Sequence, residues 1–176
     1  AALTLAGLAG LPDAERLIDL GEELLIEACA QQFFADGGHK SRCPEMLLEA
    51  LCDLISVDHA CARAGRESPP DLAAQAAKMA AMLRLCRLGD GALACFQGGG
   101  EGLAGSLDAA LRASGAGRDF QYATQSGYLR LAAGETALVI DVGAAPPRDY
   151  AERGHAGALA FEMSSGADRL IVNVGS

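Results

Sequence analysis

A chain of 176 residues, 51% of them hydrophobic and with a formal net charge of −9, has room for one ordinary domain or for a small domain plus part of another. The negative field excludes nucleic acid as an expected partner. The scarcity of aromatics, 5% with no Trp, argues against a stacking groove or a sugar-binding Trp floor within these residues.

Residues 1 to 11 are apolar and small but lack a basic region before them, so they do not read as a signal peptide. No run reaches the ~18 apolar residues of a membrane span. From Pro12-Asp13 to about Phe34, Leu17, Leu20, Leu24, Leu25 and Ala28 recur at helical spacing, with Asp19, Glu22, Glu23 and Glu27 between them. Asp36-Gly37-Gly38 stops this helix. A second helix starts between Ser41 and Pro44, with Met46, Leu47, Ala50, Leu51, Leu54 and Ile55 as its apolar stripe. A third follows Ser68-Pro69-Pro70-Asp71; Met79 and Met82 belong to its core face, Arg84 and Arg87 to its last turn. Gly102 to Ala113 reads as a short fourth helix.

Near Gly115 the pattern changes. Tyr122 to Leu131 alternates like a strand, Ala133-Gly134-Glu135 is a turn, and Thr136 to Val142 is a second, apolar strand interrupted by Asp141. Asp141 reads as a strand-end group bonded to the Gly143 loop. The segment from Arg153 to Ser176 reads as two strands joined by a short turn, with His155 starting the first and Asn173 near the end of the second. The expected fold class is therefore α+β: helices over 1–114, with a Gly-rich linker from about 90 that includes Gly98-Gly99-Gly100, then an antiparallel sheet over 115–176. The chain stops one residue past a Gly, so it is expected to be a fragment ending inside its functional region.

The six cysteines form no CxxC pair, and the nine-residue spacing of Cys43, Cys52 and Cys61 puts them out of phase on a helix. They read as small buried hydrophobes in a reducing compartment, not as a zinc cluster.

Three motifs in this order resemble the heparinase II/III family of polysaccharide lyases: Asp36-Gly37-Gly38-His39-Lys40-Ser41-Arg42, then Ser126-Gly127-Tyr128-Leu129-Arg130-Leu131, then His155-Ala156-x-x-Leu159-x-Phe161-Glu162 leading to Leu170-Ile171-Val172-Asn173-Val174-Gly175. The resemblance implies the end of an α/α toroid followed by the first strands of a truncated β-sandwich. It also implies β-elimination in a uronate-containing polymer. That chemistry needs a group to neutralise the uronate carboxylate, a base for the C5 proton and an acid for the leaving oxygen. His39, Arg42, Arg153 and Tyr128 are the catalytic candidates, and His39, Lys40, Arg42 and Arg153 the substrate-binding ones.

The resemblance further implies a structural zinc. His155 falls on a metal-ligand position, Asn173 stands where relatives carry a metal-binding Asp, and the third ligand would lie beyond Ser176. Arg153 replaces a His two residues upstream of His155, and Met46 replaces a Tyr. The implied partner is an acidic polysaccharide or oligosaccharide, and the implied location the periplasm or cell envelope, against the cytoplasm suggested by the cysteines. The departures motivate an alternative of another class, a non-catalytic carbohydrate-binding or envelope protein on a lyase scaffold. A helical adaptor without a sugar role is a third reading.

Overall fold

The structure, a computed structural model, describes residues 13–115, 119–155 and 157–173. Four helices precede a five-stranded antiparallel meander: α1 (Ala14–Gln32), α2 (Pro44–Arg63), α3 (Pro70–Leu85) and α4 (Ser106–Ala113), then β1 (Tyr122–Ala123), β2 (Tyr128–Ala133), β3 (Thr136–Asp141), β4 (Phe161–Ser165) and β5 (Asp168–Ile171), ordered β1-β2-β3-β4-β5 in the sheet. A 3-10 turn at Arg148–Tyr150 lies in the loop between β3 and β4. This is the α+β arrangement expected from the sequence.

Pro44 and Pro70 occupy first-turn positions, where a missing N–H costs nothing. Leu47, Leu51, Leu54 and Val57 of α2 bury against Met79, Met82 and Leu83 of α3, and the same cluster continues through Leu93, Phe96, Tyr128 and Val139 into the sheet. One core thus serves helices and strands. All six cysteines are free thiols, four of them buried.

Four details differ from the expectations. Helix α1 turns Ile18 and Cys29 inward and leaves Leu17, Leu20 and Leu24 exposed at 46%, 49% and 56%, so three of the four leucines of the predicted stripe face outward while Leu25 packs partly against the core. Arg87 lies beyond the end of α3. The stretch read as a linker is tightly held: Leu93, Ala94, Phe96 and Gln97 are buried, and the Gly100 N–H donates to Glu45 Oε2 at 2.7 Å. The strand expected over Tyr122–Leu131 is broken by a turn at 124–127, because Asp36 captures its backbone. Asp36 Oδ2 accepts from the N–H groups of Gln125 (2.9 Å) and Ser126 (2.7 Å), and Oδ1 accepts from Ser126 Oγ (2.6 Å) and the Gly38 N–H (3.1 Å). The Asp-Gly-Gly turn after α1 is thereby fastened to the first turn of the sheet.

The two faces of the sheet differ in an uncommon sense. Pairing aligns Leu129, Ile140 and Phe161 in one row and Leu131, Leu138, Met163 and Ile171 in the next, all on the face away from the helices. The helix-facing side carries Tyr128, Val139, Asp141, Glu162 and Ser164, all buried, together with Arg130 and Arg169. Arg130 illustrates why. Its Nη1 donates to the carbonyl oxygens of Leu85 (3.1 Å) and Arg87, satisfying the open C-terminal end of α3 from the neighbouring strand.

Candidate functional site

The polar layer between helices and sheet is organised around Arg42. Arg42 follows the Asp-Gly-Gly turn with φ +60°, and its side chain is almost fully buried. Its Nε donates to the Ser126 carbonyl at 2.7 Å, its two Nη groups donate to the carbonyls of Ala144 and, at 3.5 Å, Gly127, and Nη2 pairs with Asp141 Oδ1. Tyr128 covers the guanidinium at 5.1 Å and donates its hydroxyl hydrogen to the Arg42 carbonyl. Gly127 (φ +72°) and Gly143 approach so closely here that a Cβ on either would strike the other's backbone or the guanidinium. These glycines make the slot that Arg42 fills.

Two expectations change. Arg42 is not free to meet an acidic sugar, since its donors are engaged inside the fold. Tyr128 is no proton donor to an external molecule: it is buried, its ring packs on Phe96 at 5.2 Å, and burial raises its pKa well above the usual phenol range. Asp141 does bond the Gly143 N–H at 3.1 Å, as the sequence suggests, but its larger role is to neutralise Arg42.

His39 is buried at 6% exposure. Its Nδ1 accepts the Ser41 N–H at 3.1 Å and lies 2.7 Å from Ser41 Oγ, which in turn accepts the Cys43 N–H at 3.2 Å. An Nδ1 that accepts a backbone N–H is unprotonated, so the imidazole is held neutral, and burial lowers its pKa in the same sense. Phe33 and Tyr150 pack edgewise against the ring at 5.4 and 5.8 Å. Lys40 places its ammonium 5.8 Å from the Tyr150 ring centroid, and the Tyr150 hydroxyl donates to the Gln31 carbonyl at 3.0 Å. Tyr150 thus docks the loop between β3 and β4 onto the His39 loop. Nothing in the sequence pattern singles it out.

That loop carries Arg153 and His155, both exposed. His155 lies in the loop ahead of β4, not at the start of a strand. Its backbone is anchored: the His155 N–H donates to Gln97 Oε1 at 3.0 Å, and Gln97 Nε2 donates to Asp141 Oδ2 at 2.9 Å. Burial and charge pairing therefore link Arg42, Asp141 and Gln97 to the exposed Arg153–His155 turn. The sequence reading missed Gln97. The available signal was the unexplained polar residue next to a Gly run in an otherwise apolar stretch.

At the other end of the sheet, Arg169 Nε pairs with Asp90 Oδ2 at 2.6 Å, its Nη1 lies 3.0 Å from Glu101 Oε1 and 3.5 Å from Glu162 Oε2, and its Nη2 donates to the Leu93 carbonyl at 3.1 Å. Glu162 is fully buried; burial raises its pKa, opposed by the Asn173 and Cys95 N–H groups and by Arg169. Asn173 donates its N–H to Glu162 Oε1 and its carboxamide Nδ2–H to the Cys95 carbonyl, both at 2.9 Å.

These bonds bear on the implied zinc. Asn173 spends its amide on a carbonyl and has only a neutral oxygen left. Among the described residues no three His, Cys, Asp or Glu side chains converge on a metal position, and the third ligand that the resemblance implies lies beyond Ser176.

Residues 115–176 match the family model described as heparinase II/III-like, C-terminal. Over 169 residues the chain is 36% identical to FtsZ-localized protein C of Caulobacter vibrioides, an alignment covering 96% of this chain and 29% of that protein. The chain therefore spans less than a third of the length of this curated relative. A heparan sulfate lyase HepC mutant from Pedobacter heparinus superposes with a TM-score of 0.76 at 14% identity, over 99% of this chain and 31% of the other. A heparinase III does so with a TM-score of 0.76 at 15% identity, over 99% of this chain and 33% of the other. At such identities the structural likeness establishes the fold.

Proposed function

We propose a function from the premise that residues 115–176 place this chain in the heparinase II/III-like family: it is part of a lyase-scaffold protein that binds an acidic saccharide without cleaving it. The observation that carries this reading is the commitment of the expected chemical groups to internal bonds. Arg42 is saturated by Asp141 and backbone carbonyls, Tyr128 is sealed beneath it, and Asn173 is bonded to Cys95. What remains on the surface includes donors suited to a carboxylate: the exposed Arg153 and His155, with Lys40 on the adjoining loop. Among the described residues no helix is long and apolar enough to cross a membrane. The relative named for its localisation with FtsZ extends this reading to a place at the FtsZ structure of the cell.

A lyase reading stands second. It rests on the family match; the neutral His39 spends its unprotonated Nδ1 on the Ser41 N–H and keeps an Nε2–H donor. One experiment separates the two. The full-length protein is incubated with a panel of uronate polymers while binding and the absorbance of an unsaturated product are followed in parallel. Binding without product is the expected outcome. Accumulation of product that is lost on His39→Gln would establish the lyase instead. Imaging a fluorescent fusion beside labelled FtsZ tests the cellular part, and a distribution independent of FtsZ would remove it.

A further inference from the structure

We propose that Gln97 is a positioning residue, which holds the Arg153–His155 turn in place and registers it against the buried Arg42–Asp141 pair. The inference rests on the reading of that turn as a ligand-contacting surface. Gln97 is 6% exposed and has a left-handed backbone, φ +51°, an unusual conformation for a residue with a side chain. Both ends of its carboxamide are used, and each in only one sense. Nε2 donates to Asp141 Oδ2 at 2.9 Å, and Oε1 accepts from the His155 N–H at 3.0 Å. The carboxylate of Asp141 dictates which end of the amide faces inward, so the oxygen is necessarily presented to the loop.

The next residue completes the cradle. Gly98 has φ +74°, and a Cβ there would lie 2.8 Å from the Arg153 carbonyl oxygen, 3.1 Å from the Arg153 Cβ and 3.2 Å from His155 Nε2. The turn thus rests directly on the Gln97-Gly98 backbone. The two side chains of the turn flank Gly154, and among the described residues its other backbone bonds, from the Gly154 N–H to the Ala151 carbonyl (2.9 Å) and from the Gly157 N–H to the His155 carbonyl (2.8 Å), are local. Among the described residues the Gln97 bond is the long-range one that the Arg153–His155 turn itself makes, while Tyr150 ties the loop further upstream to the Gln31 carbonyl. The Gln97 bond connects an exposed turn to a charge pair that also holds the helices to the sheet, so the turn has a fixed orientation before any ligand arrives.

Hydrogen exchange followed by mass spectrometry on the full-length protein tests this. In Gln97→Met, which keeps size and removes both bonds, the peptide containing Gly154 and His155 should exchange about five- to tenfold faster, as expected for one lost hydrogen bond. Segments of α2 away from the turn should keep their wild-type rates. Gln97→Glu retains an acceptor for the His155 N–H and should keep near-wild-type exchange there, although its carboxylate faces Asp141 and lowers the melting temperature. Equal exchange in wild type and Gln97→Met overturns the proposal, as does equally fast exchange in both variants. Should Gln97→Met not fold, Gln97→Asn, one methylene too short to span both partners, takes its place. Affinity for a glucuronate-containing tetrasaccharide judges the underlying reading separately. Arg153→Ala and Gln97→Met should each weaken it about tenfold, whereas unchanged affinity in Arg153→Ala removes the turn as a ligand surface whatever the exchange data show.

Discussion

At the residue scale, Arg42 shows how a basic side chain can be conspicuous in sequence and silent at the surface. His39, Lys40 and Arg42 sit together on a Gly-rich turn, and from sequence each is equally a ligand for an acidic sugar. The fold separates them: Lys40 stays at the surface, His39 is held neutral, and Arg42 is inserted between strands. A buried guanidinium needs a countercharge and acceptors for its donors, and Asp141 with three carbonyls supplies them. Removing one partner strands the other. Arg42→Met should therefore lower stability by about 3–5 kcal/mol, read as a shift in the urea midpoint. Arg42→Met combined with Asp141→Asn should recover part of that loss, because the uncompensated carboxylate is gone. A single variant within ~1 kcal/mol of wild type would contradict the structural role assigned here.

At the element scale, what was legible in the sequence follows the periodicity of the chain. The helices beginning at Pro44 and Pro70 are marked by their prolines and apolar repeats, and the structure starts them where those marks stand. Two features were illegible for physical reasons. The face of α1 was misassigned because Leu17, Leu20 and Leu24 and the pair Ile18 and Cys29 both recur at helical spacing, and only tertiary contacts choose between them. The strand over Tyr122–Leu131 was expected to be continuous because alternation cannot register an acceptor 90 positions away. Of the site, the positions of the basic loop and of the polar strand residue Asp141 could be read, but not their pairing, which spans 99 positions. Tyr150 carried no signal, and Gln97 only that of a polar residue beside a Gly run in an apolar stretch. The Asp36 carboxylate is the element-scale clasp, and its removal is predicted to act locally. Asp36→Ala should cost about 2–4 kcal/mol, since several charge-assisted bonds to buried or half-buried groups are lost together. Hydrogen exchange should rise first at Gln125 and Ser126. Uniform acceleration across all helices and strands would show that Asp36 is not a local clasp.

At the scale of the whole molecule, the decisive property is the inverted polarity of the sheet. A two-layer fold ordinarily turns its apolar sheet face towards its helices. Here that side carries Asp141, Glu162 and Arg169, while the outer face presents Leu131 at 49%, Phe161 at 39% and Ile171 at 42% exposure. The helix-facing charges are tolerable because each is paired or bonded, and their geometry makes the polar layer specific rather than adhesive. The outer face has no such compensation. Adjacent rows of Leu, Ile, Phe and Met on a twisted antiparallel sheet are the inner face of a sandwich, where a second sheet would pack about 10 Å away. The 176-residue chain expressed alone should consequently bind a hydrophobic dye and associate in a concentration-dependent way. Replacing Leu131 and Ile171 by Lys should suppress both while leaving the melting temperature nearly unchanged, because neither side chain is buried in the core that joins helices to strands. Charges there that instead unfold the chain would mean that the outer face is already covered by residues of the chain itself. Unchanged dye binding would place the adhesive surface elsewhere, with the exposed leucines of α1 as the remaining large apolar stripe.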